Sequence, residues 1–482
     1  MPDPSLPPRM PSANGSFTHR NAATLKLAGI LLLVLLLLIP LGMIGSVLAE
    51  RLGRRNEAVA GITETWGRDQ SIIGPVLAVP YRQRHKVWRE VSVGGKAEKR
   101  EVEETRVHTA YFLPSDLAVE GRVKPGRLHR GIYETVVYRA DFKVSGRFEK
   151  PDFALLKIEP EDIAWADAVV TLAINDLRGT GEALRLSWGK EEFVFVPGSR
   201  LPGWASGLHA RIGGRGLEGG VPFHFSLDFN GSGTLQFAPM GRQNVVKIAS
   251  EWADPSFRGA FSPAERRITP KGFDATWKVS WYGRNFPQQW TDTNPSGFDA
   301  GAVNASLFGV QLMPSLDSYR TVERSIKYGA LFLALAFAAF FLFEVRAKLR
   351  IHVVQYLLVG GALCLFYLLL LSLSEFISFP RAYLVASGAS TLLVALYCAA
   401  VLCGGRRARK IAAMLAATYA YLYIALRLQD YSLLFGSAGL FLALAAVMYL
   451  TRRVDWSSGD EKKPVVPPAP KGLRPAQKTV DV

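Results

Sequence analysis

The sequence predicts a multi-pass α-helical membrane protein with a large β-rich periplasmic domain, and three observations predict it. Residues Ala28–Ala49 form an uncharged apolar run long enough to cross a bilayer as a helix. The next long hydrophobic segment begins only at about Ile326, and it opens a series of five such segments. Between these two regions apolar and polar residues alternate with the period of half-buried strands.

Composition agrees with this class. The chain has 482 residues, 49% of them hydrophobic, and a positive mean hydropathy. Its formal net charge of +16 could suggest nucleic acid, but most of the excess sits in the tails and in short loops beside the spans, where Lys and Arg set topology. No nucleic-acid partner is expected. All three cysteines, Cys364, Cys398 and Cys403, lie in C-terminal hydrophobic segments, so the exported part must hold together by its core alone, without disulfide or metal.

Residues 1–27 read as a disordered cytoplasmic tail, because Pro, Ser and Asn dominate its start and apolar residues are few. Arg9, Arg20 and Lys26 precede the first span (28–49) and keep the N-terminus inside. Val47 and Ala49 would suit a signal cleavage site, but the apolar run exceeds that of a signal peptide, and the segment reads as an uncleaved anchor.

Residues 50–322 form the predicted periplasmic domain. Phe223, Phe225, Leu227 and Phe229 alternate with polar residues, and Asn230-Gly231-Ser232-Gly233 supplies turn chemistry before Leu235 and Phe237, which predicts a hairpin. Tyr138, Ala140, Phe142 and Val144 predict another strand, as do Trp277, Val279 and Trp281. The charge run Lys96–Glu104 between two strand-like stretches predicts a solvated hairpin tip. Gly214, Gly216 and Gly219 spell GxGxxG, but no strand-to-helix transition surrounds them, and a loop is the expected reading.

Five further spans are expected within 326–450, at Ile326–Phe343, Val354–Leu373, Tyr383–Cys403, Ile411–Leu426 and Ser432–Leu450. The fifth overall is the weakest, being rich in Ala and Tyr with Arg427 directly behind it. Six spans place every basic loop (Arg346 to Arg350, Arg406 to Lys410, Arg452-Arg453) in the cytoplasm together with both termini. The tail 459–482, rich in Pro and Lys, again reads as disordered.

The ordered motifs resemble the CreD family of inner-membrane cell envelope integrity proteins. The resemblance is carried by Gly74-Pro75, Phe112-Leu113-Pro114, Arg130-Gly131-Ile132-Tyr133, Asn175-Asp176-Leu177-Arg178-Gly179, Ser232-Gly233-Thr234, Trp252 with Pro255 to Gly259, and Lys271-Gly272-Phe273. In the C-terminal half it continues through Lys327-Tyr328, Phe343-Glu344, His352 with Gln355 to Gly360, and Phe366 to Leu371. It implies a bacterial inner-membrane protein, linked to envelope integrity and stress tolerance, and carries no catalytic residue with it.

No nucleophile elbow, HExxH or Walker A sequence is present, and the histidines show no close ligand spacing, so no catalytic, cofactor-binding or metal-binding residue is assigned. The one candidate site is a polar cluster at the outer membrane face, Glu375 with Arg381, Arg427 and Asp430, because a carboxylate at the hydrocarbon edge needs water or a partner. Glu344 reads as a boundary residue reaching cytoplasmic water beside Arg346 and Lys348. The expected function is non-enzymatic support of the envelope, with the lipid bilayer and envelope proteins or lipids as partners. A transporter or lipid-handling protein, and a periplasmic hydrolase, are the alternatives.

Overall fold

A computed structural model describes residues 22–93, 96–180, 184–217, 219–293, 298–312, 318–347, 351–401, 405–428 and 432–451. The chain divides into two units, Glu50–Asp317 and the combination of Met1–Ala49 with Ser318–Val482.

The first unit is a sandwich of two sheets. One contains β1 (Gln70–Val93), β2 (Lys96–Phe112), β5 (Val169–Ile174), β8 (Val196–Pro197), β9 (Gly207–Arg211), β11 (Thr234–Phe237), β13 (Pro255–Gly259), β16 (Gln289–Thr291) and β17 (Phe308–Leu312). The other runs in the order β14 (Glu265–Thr269), β15 (Gly272–Ser280), β12 (Gln243–Ser250), β3 (Asp116–Arg130), β4 (Tyr133–Phe148), β10 (Val221–Ser232), β6 (Arg185–Trp188) and β7 (Glu191–Val194). The inner faces meet through aromatic rings, Phe142 against Phe237 at 5.3 Å and Trp277 against Phe308 at 5.9 Å. The first pair meets edge to face and the second is tilted, and such contacts add to the burial of large apolar area. The alternation seen in the sequence is thus the sandwich's in-and-out pattern: Phe223, Phe225, Leu227 and Phe229 are buried while His224 and Ser226 are exposed.

Three local readings are corrected. The predicted hairpin does not form: β10 pairs with β4 and β6, whereas β11 pairs with β1 and β17 in the opposite sheet. Gly233, at φ +60°, lets the chain cross between sheets, and the Asp69 carboxylate accepts the Thr234 amide at 2.8 Å just beyond it. The run Lys96–Glu104 is not a tip but the outer part of strand β2, paired residue for residue with β1. Trp281 also departs from its strand pattern, opening a 3-10 turn after β15.

One stretch that carried the family resemblance, Asn175 to Gly179, meets Gln70 through Asp176. The Gln70 side-chain amide donates to the carbonyls of Asp176 and Asn230, both at 2.8 Å, and its oxygen accepts the Asp176 amide at 3.2 Å. Asp176 also accepts from Arg68 and Arg178, so a fully buried Gln is satisfied by a closed polar network. A second node forms on buried Arg284, which donates to the carbonyls of Pro239, Met240 and Gly241 at 2.8–3.1 Å and to Gln288. Gln288 in turn donates to the carbonyls of Leu113 and Pro114, both at 2.8 Å. Burial, and secondarily Arg242, lowers the Arg284 pKa to about 10.

The second unit is helical. It contains part of α1 (Ala22–Trp66), then α3 (Ser318–Lys327), α4 (Gly329–Ala347), α5 (Val353–Ser374), α6 (Phe379–Val401), α7 (Gly405–Arg427) and α8 (Ser432–Thr451), the short α2 (Ala300–Ala305) belonging to the sandwich. In α1, Leu33, Leu37, Leu41, Ile44 and Leu48 are buried at helical spacing while Leu32, Leu36, Ile39 and Met43 are exposed. Leu37 packs against Gly360 of α5 and Leu41 against Gly329 of α4, positions where a Cβ would collide with the leucine. Among the described residues, three helical segments are long and apolar enough to cross a membrane: Ala28–Trp66, Val353–Ser374 and Phe379–Ala400. A fourth is added if Tyr319–Lys327 and Gly329–Glu344, bent by 48°, form one span. The predicted fifth and sixth spans are helices, α7 and α8, but lie outside that count.

Candidate functional site

Among the described residues, Arg381 and Arg427 of the predicted cluster make no side-chain bond to Glu375. Glu375 ends α5 as its C-cap and accepts a hydrogen bond from the Tyr319 hydroxyl at 3.2 Å. The Arg427 guanidinium instead lies over the Tyr423 ring at 5.6 Å and donates to its hydroxyl. Arg381 is exposed in the first turn of α6, and Asp430 lies outside the described residues.

The opposite end of α5 holds the polar site that residue-by-residue reading missed. Glu344, near the end of α4, is only 4% exposed. One carboxylate oxygen accepts from the Lys26 ammonium and, at 2.9 Å, from the Ile351 amide; the other accepts from the Tyr356 hydroxyl at 2.8 Å. Lys26 also donates to the Ile351 carbonyl at 3.0 Å. Three segments therefore converge on one carboxylate, and Glu344 is a buried hub rather than a boundary residue. The ion pair was invisible in the sequence because its members are 318 residues apart; the one local hint was an acid ending an apolar run. Buried with such partners, the carboxylate can clamp helices, whereas removing one partner would leave a costly unpaired charge.

A second candidate lies on the outer face of the eight-stranded sheet. A depression of about 510 Å³ is lined by Glu120, Arg122, Asp141, Lys143, Lys247 and Asp274 around the small residues Gly121 and Ala249. Lys247 pairs with Glu120 at 2.5 Å. Arg122 and Asp141 stand opposite each other in the ladder, yet Arg122, Asp141, Lys143 and Asp274 make no side-chain hydrogen bond or ion pair among the described residues. Such a surface offers charges of both signs and no aromatic platform, so it suits polar, charged partners over stacked sugar rings. Its residues are the polar half of the strand alternation, which marks exposure but not that the charges cluster across strands.

A family model described as "Inner membrane protein CreD" matches residues 22–457. The inner membrane protein CreD of Escherichia coli (strain K12) is 31% identical over 424 residues, covering 88% of this chain and 91% of that relative.

Proposed function

The chain belongs to the CreD family of inner membrane proteins, and from there we propose that it supports bacterial envelope integrity and stress tolerance without catalysis, through contacts of its sandwich in the periplasm. The observation that carries this reading is the open depression on the eight-stranded sheet, where four charged side chains make no side-chain bond among the described residues, in a domain whose buried polar groups at Gln70 and Arg284 are extensively bonded. In this reading the helical unit anchors the sandwich by six spans with both termini in the cytoplasm, because that arrangement keeps every basic loop on one side.

Exchange of the depression's charges tests it. Arg122→Gln, Lys143→Gln and Asp274→Asn, combined, should reduce survival under detergent challenge toward that of a deletion strain at unchanged membrane abundance. Parental tolerance in the triple variant would remove the depression from the function. Reporter fusions after Gly179 and after Arg453 test the topology, the first expected to report periplasm and the second cytoplasm.

A further inference from the structure

Strand β2 carries a long free edge. One of its sides is paired with β1 throughout, from Lys96 opposite Val93 to Phe112 opposite Leu77. On the other side pairing with β16 begins only at Ala110, and Thr109 is bonded through both its amide and its carbonyl to Asp292. From Lys96 to His108 that side has no strand partner among the described residues. Beyond Tyr81, which bridges to Ile163, β1 likewise pairs only with β2 among the described residues, so this part of the sheet is a two-stranded ribbon. Such a ribbon is marginal in water, and a long open edge is a template for another strand.

The midpoint of this free edge is Val102. Alternate residues about it, which share one face, read Glu98, Arg100, Val102, Glu104, Arg106. The order is acid, base, valine, acid, base, and it is the charge complement of its own reverse. We propose that two copies of this chain pair β2 with β2, antiparallel, about a two-fold axis at Val102, joining two ribbons into one four-stranded sheet.

In that register Glu98 stands opposite Arg106 of the second copy, Arg100 opposite Glu104, and Val102 opposite itself. On the other face Val107 stands opposite Ala97. Val102 and Val107, 37% and 68% exposed in the single chain, are thereby both covered. The remaining like-charged contact, Glu101 with Glu103, is offset by Lys86 of the same hairpin, which stands opposite Glu103 and lies 3.5 Å from Glu101. A two-fold axis perpendicular to the sheet must keep each residue on its face, so the axis passes through a residue pair. Moving it to Glu101 sets Glu98 against Glu104, and moving it to Glu103 sets Arg100 against Arg106. Charge thus selects Val102. The contact of Arg106 with Glu104 in the single chain is long, at 3.6 Å, and the Arg106 side chain is largely exposed, so Arg106 can exchange partners.

Full-length chain in native membranes tests the pairing. Val102→Cys should form a disulfide-linked dimer under mild oxidation, whereas Thr105→Cys, which faces Lys99 in this register, should not exceed the parent chain. In nanodisc-exchange measurements of self-association, Arg100→Glu and Glu104→Arg should each weaken the dimer by about tenfold or more, since symmetry converts two attractive pairs into repulsive ones. The double variant Arg100→Glu with Glu104→Arg should recover affinity to within about threefold of the parent, because both copies then carry the exchanged pair. Cross-linking at position 102 no better than at 105, single charge variants that leave association unchanged, or a double variant as weak as the singles would each overturn the proposal.

Discussion

The helical unit places one carboxylate at each end of α5 and holds them in opposite ways. Glu344 is buried, with both oxygens engaged by an ammonium, an amide and a phenol drawn from α1, α5 and the segment before α5. Glu375 is half-buried at the far end, with the Tyr319 phenol of α3 among its partners. In sequence they look alike, each an acid where an apolar run stops, and the richer set of charges is expected around Glu375. The difference teaches that a carboxylate at a membrane boundary is defined by the partners that packing brings to it, and here the decisive partner comes from the other end of the chain.

The largest effect is expected from taking Lys26 away. Lys26→Met leaves Glu344 buried without its cation and should cost about 3–5 kcal/mol, read as lost thermal stability of the full chain in detergent. Adding Glu344→Gln should recover most of that loss, because the charge goes with its partner. If the double variant is no more stable than Lys26→Met alone, the clamp is not electrostatic.

Next in size is the packing that seats α1. Gly360→Val places a branched side chain where Leu37 already sits and should destabilise by about 1–3 kcal/mol, visible as faster proteolysis around residue 50 in membranes. Protection equal to the parent chain would show that α1 does not lie in that groove.

In the sandwich, two phenols supply a pH-dependent counterpart. Burial, and then Asp292, raises the Tyr111 pKa from 10.0 to about 12; burial, and then Asp69, raises that of Tyr138 well above 10.0. Both stay protonated in the folded chain while the unfolded chain begins to ionise. The stability they contribute is complete below about pH 10 and falls as pH rises through the range up to 12. Tyr138→Phe should flatten that alkaline decline and, by losing the bond to the Thr234 carbonyl at 2.9 Å, cost about 1 kcal/mol at pH 7. An unchanged alkaline slope in thermal scans would remove Tyr138 as its source.

The smallest effect is expected at Glu375. Glu375→Gln keeps an acceptor for Tyr319 and should shift stability by less than about 1 kcal/mol, well below Glu344→Gln measured in the same detergent. The opposite ranking would restore the outer cluster as the critical one.

Properties written in short windows were legible from residues alone. Apolar runs gave the helices α1, α5 and α6, because a bilayer demands a continuous stretch in one place. Alternation gave the strands at Phe223–Phe229 and Tyr138–Val144, because the side-chain period of a strand is local. The ordered motifs gave the family. Pairing was another matter. Asn230 to Gly233 has hairpin chemistry, yet the chain crosses to the other sheet there, because β4 takes the partner's place beside β10 and β1 takes β11. Lys26 looked like a topological charge and Glu344 like an interfacial one until folding put them in contact. A helix or strand reports its own period, but which distant residue satisfies a buried charge or an open ladder depends on long-range packing, and only the folded chain fixes that.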